Sequence, residues 1–189
     1  MEDITKIKQK IRALIEDWEK SDLETFYYTN SSSWILSEEN INSIIKVTKN
    51  NTELGSGEYS FNTSTNEINI SASLSSGDII IVKYNYYSYS DNELDEYIRG
   101  ALVWLSIFGH EEHDYELEDD TDIYPTPSNE VTDLIALISS ILIKPDYTEY
   151  RLPNRTVRYN NKATKEEKIE KLIMRFYSGI GVIDILEFD

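Results

Sequence analysis

Gly77-Asp78-Ile79-Ile80-Ile81-Val82-Lys83-Tyr84, followed shortly by Ser90-Asp91-Asn92-Glu93-Leu94-Asp95-Glu96-Tyr97-Ile98, is where the hydrophobic period of this chain changes. The first stretch leaves a Ser75-Ser76-Gly77-Asp78 turn and reads as a strand, predicted over Ile79 to Tyr89. The second opens on a capping box, Ser90 with Glu93 three residues on. It continues as an apolar stripe of Leu94, Tyr97, Ile98, Ala101, Leu102, Leu105 and Phe108, closed by Gly109. Strands therefore end and helices resume here.

Upstream, further strands are predicted at Ile44 to Lys49, Glu58 to Asn62 and Glu67 to Ser71. Tyr59 and Phe61 share one face, as do Ile68 and Ile70, and the turn-rich Thr63 to Asn66 makes the pair a hairpin. Before this block, Ile4, Ile7, Ile11, Leu14, Ile15 and Trp18 recur at helical spacing. That predicts an amphipathic helix over residues 3 to 20, with Lys6, Lys8, Lys10 and Arg12 on its other faces. Downstream, a helix from about Asn129 to Ile143 is bounded by Pro127 and Pro145. A last one opens on a second capping box, Thr164 with Glu167, and stops near Gly179.

The expected class is α+β: a four-helix core with an antiparallel β module inserted between helix 1 and helix 2. Residues 1–30 and 90–189 form the helical core, with an acidic loop (110–127) and a basic arm (145–163), and residues 31–89 form the inserted β module.

Composition narrows function. Among 189 residues, 35 acidic against 18 basic side chains leave a net charge of −17, a field that repels nucleic acid and anionic lipid. No cysteine is present, which removes a disulfide framework and a thiolate zinc site. No signal peptide is visible at Met1-Glu2-Asp3, and the nearly apolar run Leu134 to Ile143 is too short to span a membrane.

Charge is polarised along the chain. Glu111, Glu112, Asp114, Glu116, Glu118, Asp119, Asp120 and Asp122 crowd one loop, whereas Lys144, Arg151, Arg155, Arg158, Lys162, Lys165, Lys168, Lys171 and Arg175 follow it. Such runs are ordinarily solvated. The sharper reading is that the acidic loop of one copy, through Glu118, Asp119, Asp120 and Asp122, meets the basic arm of the next, through Arg151, Arg155, Arg158 and Tyr159.

His110 and His113 stand in the acidic loop, but their spacing matches neither a calcium loop nor a zinc helix motif. No metal, cofactor or catalytic residue is assigned, and an enzyme is not expected. Tyr84, Tyr86, Tyr87 and Tyr89 are first strand formers, and alternatively a stacking platform for a glycan.

Taken in order, the helix, the β insertion, the Ser90 to Ile98 helix start, the Ile143-Lys144-Pro145 helix end, the Tyr150-Arg151-Leu152-Pro153 arm and the capped last helix resemble the head-to-tail connector (neck, adaptor) proteins of tailed bacteriophages. The resemblance implies a virion protein, assembled in the host cytoplasm, that forms a ring usually of twelve copies. Its implied partners are further copies of itself, the portal protein and a tail or second neck protein, with DNA passing through a negatively charged lumen. The β segment is large for a simple helical adaptor. The alternative expectation is a virion-associated binding module whose β segment engages a glycan or host surface component.

Overall fold

The computed structural model describes residues 4–109, 114–118, 122–152, 155–160, 162–178 and 185–188. In chain order the elements are α1 (Ile4–Leu14), β1 (Lys20–Tyr27), β2 (Ser33–Ile35), β3 (Ile41–Lys49), β4 (Thr52–Glu53), β5 (Tyr59–Asn62), β6 (Glu67–Ile70), β7 (Ile79–Tyr86), α2 (Asp91–Phe108), β8 (Glu116–Glu118), β9 (Asp122–Tyr124), α3 (Asn129–Ile143), β10 (Glu149–Leu152), β11 (Arg155–Tyr159), α4 (Lys165–Tyr177) and β12 (Ile185–Phe188). This is the expected α+β architecture, with four helices among the described residues and a β module inserted between α1 and α2. The chain divides into two units: residues 1–17 with 91–189, and residues 18–90.

The helical unit is organised around α3, which is buried continuously from Val131 to Ile141 and packs against the other three helices. A helix apolar on all sides belongs at the centre of a bundle. Two of its buried hydroxyls are satisfied locally, Thr132 Oγ1 donating to the Ser128 carbonyl at 2.9 Å and Ser140 Oγ to the Ala136 carbonyl at 2.7 Å, while Ser139 Oγ donates to the Tyr97 carbonyl of α2 at 3.3 Å. Ser128 caps its N-terminus by accepting from the Val131 N–H, and the Thr164–Glu167 capping box of α4 has both of its hydrogen bonds.

Helix α1 buries Ile4, Ile7, Ile11 and Leu14 as expected, but it ends at Leu14 and not near residue 20. Glu16 adopts φ 58°, and the Asp17 N–H reaches back to the Arg12 carbonyl at 2.9 Å. This is a Schellman-type stop with a glutamate in the left-handed position that favours glycine. Trp18 is thereby released from the helical stripe and lies 62% exposed. Glu16→Gly is expected to raise stability by about 0.5–1 kcal/mol in urea unfolding followed by helical circular dichroism.

Lys6 of α1 is exposed, but the other three basic residues of the helix are engaged in ion pairs. Lys8 Nζ meets Asp95 on α2 and Lys10 Nζ meets Asp133 on α3, each at 2.8 Å, with both carboxylates largely buried. Arg12 pairs with buried Asp17 through Nη1 and with exposed Asp91 through Nη2, the latter at 2.9 Å.

In the β unit, one sheet has the order β1-β7-β3-β4 and the other β2-β6-β5. Leu36, Ile41, Val47, Ile68, Ile70, Ile80, Val82 and Tyr84 form one core between them. The expected hairpin is present as β5–β6, with Tyr59 opposite Ile70 and Phe61 opposite Ile68. The unit begins earlier than the boundary at residue 31. Strand β1 lies within the stretch assigned to the helical core, and it pairs along β7 from Lys20↔Tyr86 to Tyr27↔Ile79. Asp22 and Glu24 occupy the same cross-strand rows as Tyr84 and Val82, which breaks the apolar alternation by which a strand is recognised.

Asp78 anchors the start of β7. Its carboxylate accepts from the Ser75 N–H at 2.7 Å and Asn50 Nδ2 at 2.7 Å, with Lys49 Nζ at 3.0 Å. These bonds, the Ser75 N–H first, hold its pKa at about 2 against an ordinary 3.8. The folded pKa is depressed, so the stabilisation is present above the ordinary value and is lost as pH falls through about 2. An acid titration of β-unit unfolding should show this loss, and Asp78→Asn should remove it.

Candidate functional site

The basic arm is a sheet, not an extended strap. Strands β10 and β11 pair antiparallel, and β12 pairs parallel with β11. One side of this sheet is core: Tyr150, Leu152, Val157 and Tyr159 are all buried. Tyr159, expected at an intersubunit contact, is 5% exposed and stands edge-on to Tyr150. It belongs to the interior of the helical unit, which corrects that assignment. The signal was legible as alternation, since the buried residues fall two apart on each strand.

Arg151 and Arg158 stand on the other side with a carboxylate between them. Arg151 Nε lies 2.6 Å from Glu149 Oε1, and Arg158 Nε lies 3.6 Å from Glu149 Oε2. The Glu149 carboxyl is held below the usual range, chiefly by the Arg151 hydrogen bond. Register places Arg158 between Glu149 and Glu187. Arg151 and Arg158 thus have acidic neighbours within their own sheet and offer less free charge to another copy than their sequence suggests. Arg155 opens β11 opposite Leu152.

Of the acidic residues, Glu118 closes β8 opposite Asp122 on β9. Asp119, Asp120, His110 and His113 lie outside the described residues. Among the described residues no group of three His, Cys, Asp or Glu side chains is arranged to hold a metal ion, and no helix is long and apolar enough to cross a membrane.

The tyrosines of β7 do not make a flat platform. Tyr84 is fully buried and donates to Glu24 at 2.5 Å, and burial first, then that carboxylate, pushes its phenol pKa up. It cannot stack on a sugar. Tyr86 and Tyr87 are half-buried beside Lys20, Glu38 and Ser88, and the Lys20 ammonium sits 5.7 Å from the centre of the Tyr86 ring.

The helical unit presents apolar surface that the sequence pattern hid. Val103 and Ile107, one turn apart on α2, are 56% and 64% exposed, and Met174 on α4 is 68% exposed. All three lie off the stripes that mark their helices as amphipathic. Beside Val103 runs an open groove of about 740 Å³ lined by Leu102, Val103 and Leu117 together with Arg99, Asp114 and Glu116.

No family model matches this chain, and no curated protein matches it.

Proposed function

We propose that this chain is a structural subunit of a bacteriophage neck, a ring that joins the portal to the tail and gives DNA a passage. The order of helices and β insertion resembles the head-to-tail connectors. One observation carries most weight: the helical unit exposes Val103 and Ile107 one turn apart on α2, with Val103 in a groove that also holds Arg99, Asp114 and Glu116. Apolar side chains grouped on helix surfaces and rimmed by charge are the usual mark of a protein–protein contact. In this reading the helical unit makes the ring, and the net charge of −17 lets DNA slide without adhering.

The test is the mass of the purified chain, alone and mixed with the portal of the same particle. The expected species is a multiple of 22.0 kDa that binds the portal. A 22.0-kDa monomer at every concentration, with no portal binding, would count against the proposal.

A further inference from the structure

We infer that β1, the outer strand of the four-stranded sheet, pairs antiparallel with β1 of a second copy across a two-fold axis at Thr25. The contact lies in the β unit and does not rest on the ring reading, whose contact belongs to the helical unit.

The sheet ends differently on its two sides. At one edge β4 is only Thr52–Glu53, whereas at the other β1 runs along β7 from Lys20 to Tyr27 without a shift of register. A short edge is protected, but a long, regular one without proline offers its backbone groups to another strand. Alternation fixes which groups are offered. The Tyr28 N–H donates to the Asp78 carbonyl, so the even-numbered residues of β1 bond toward β7, and Leu23, Thr25 and Tyr27 turn their N–H and C=O groups outward. The Leu23 N–H is met by the adjacent Asp22 carboxylate at 2.7 Å, a local contact that the carbonyl of a neighbouring strand replaces. Leu23 and Tyr27 are 55% and 65% exposed on the face away from the core, and Ile79, opposite Tyr27 on β7, is exposed with them.

The sequence of β1 makes it its own complement. Leu23 and Tyr27 stand equally far on either side of Thr25, so an axis there sets Leu23 of each copy opposite Tyr27 of the other, an aliphatic–aromatic cross-strand pair. The carboxylates select the same register. Centring the pair on Asp22 or on Glu24 sets that carboxylate against its own copy, and centring it on Leu23 sets Asp22 against Glu24. Centred on Thr25, Asp22 meets Tyr28 and Glu24 meets Phe26, and no like charges oppose each other. An unrelated strand gains nothing from this symmetry, which is why the occupant is a second copy.

The chain has no cysteine, so single cysteines report the register. Three full-length variants are oxidised with diamide: Thr25→Cys, Leu23→Cys and Tyr27→Cys. Directly opposed residues stand about 5.5 Å apart at Cα, within disulfide reach, whereas Leu23 and its own copy are displaced along the strands to roughly 14 Å. Thr25→Cys should therefore give a linked pair of twice 22.0 kDa on a non-reducing denaturing gel. Leu23→Cys and Tyr27→Cys should each link at least about tenfold less by themselves, and should link to each other when mixed. All three positions are exposed, and unchanged circular dichroism verifies that the variants fold.

Thr25→Cys that fails to link, or Leu23→Cys that links as readily by itself, overturns the two-fold contact and leaves the ring reading standing. A chain that links as expected but never binds the portal overturns the ring reading and keeps this contact.

Discussion

Replacing Arg12 with Met is expected to destabilise the helical unit by about 3 kcal/mol, because it leaves the buried Asp17 carboxylate without its guanidinium. Methionine keeps the apolar stem, so the loss reports the charge and not the packing. The pair to Asp91 should add little, since that carboxylate is 70% exposed. Arg12 nonetheless reaches both residues that flank the insertion: Asp17 is the last residue of the helical unit before the β unit, and Asp91 is the first after it. Urea unfolding followed at the helical circular dichroism band measures the effect. Adding Asp17→Asn should recover a large part of it, because the charge left behind is then removed. An unchanged midpoint in the single variant would show that Asp17 does not depend on Arg12.

The second large effect is expected at Lys168. This side chain is 2% exposed, and its ammonium donates to the carbonyls of Pro145 at 2.5 Å and Tyr147 at 2.9 Å, just beyond the C-terminus of α3. A cation there complements the negative end of the helix dipole. It also lies 5.7 Å from the centre of the Tyr159 ring, so α4, the β10–β11 hairpin and the end of α3 meet around one charge. Burial pulls the pKa of its ammonium down, opposed by Asp146. Lys168→Met should cost about 2 kcal/mol, as two carbonyls lose a charged donor while a buried charge is removed. Thermal unfolding measures the loss, and the near-ultraviolet signal of Tyr147, Tyr150 and Tyr159 should weaken below the transition.

Both residues show where the sequence could be read and where it could not. Proline at 127 and 145 bracketed α3, and Thr164 with Glu167 announced the start of α4, because capping and breaking are local events. The β5–β6 hairpin was equally local, its two strands separated only by Thr63 to Asn66. The end of α1 was hidden because Trp18 continues the helical spacing while a positive φ at Glu16 stops the helix. Lys168 stands in a run of Lys and Glu that reads as solvated, yet the carbonyls that draw it inward come from over twenty residues earlier in the chain. Arg12, Lys8 and Lys10 likewise find their partners on elements that only the tertiary fold brings close.

The candidate surface was legible in kind but not in place. Opposed charge between the 110–122 stretch and the 144–175 stretch suggested contacts between copies. The fold turned the arm into a sheet with its own carboxylates and put Tyr159 in the core. Arg151 and Arg158 remain outward beside Glu149, and Val103 and Ile107 on α2 reveal themselves as surface only once the stripe facing α3 is known.

Electron-microscope class averages of the purified chain incubated with isolated portal rings test the central claim most directly. The account predicts an additional closed annulus stacked on the portal with an open axial channel. Portal rings that remain bare, with the chain free beside them as single molecules, would contradict it.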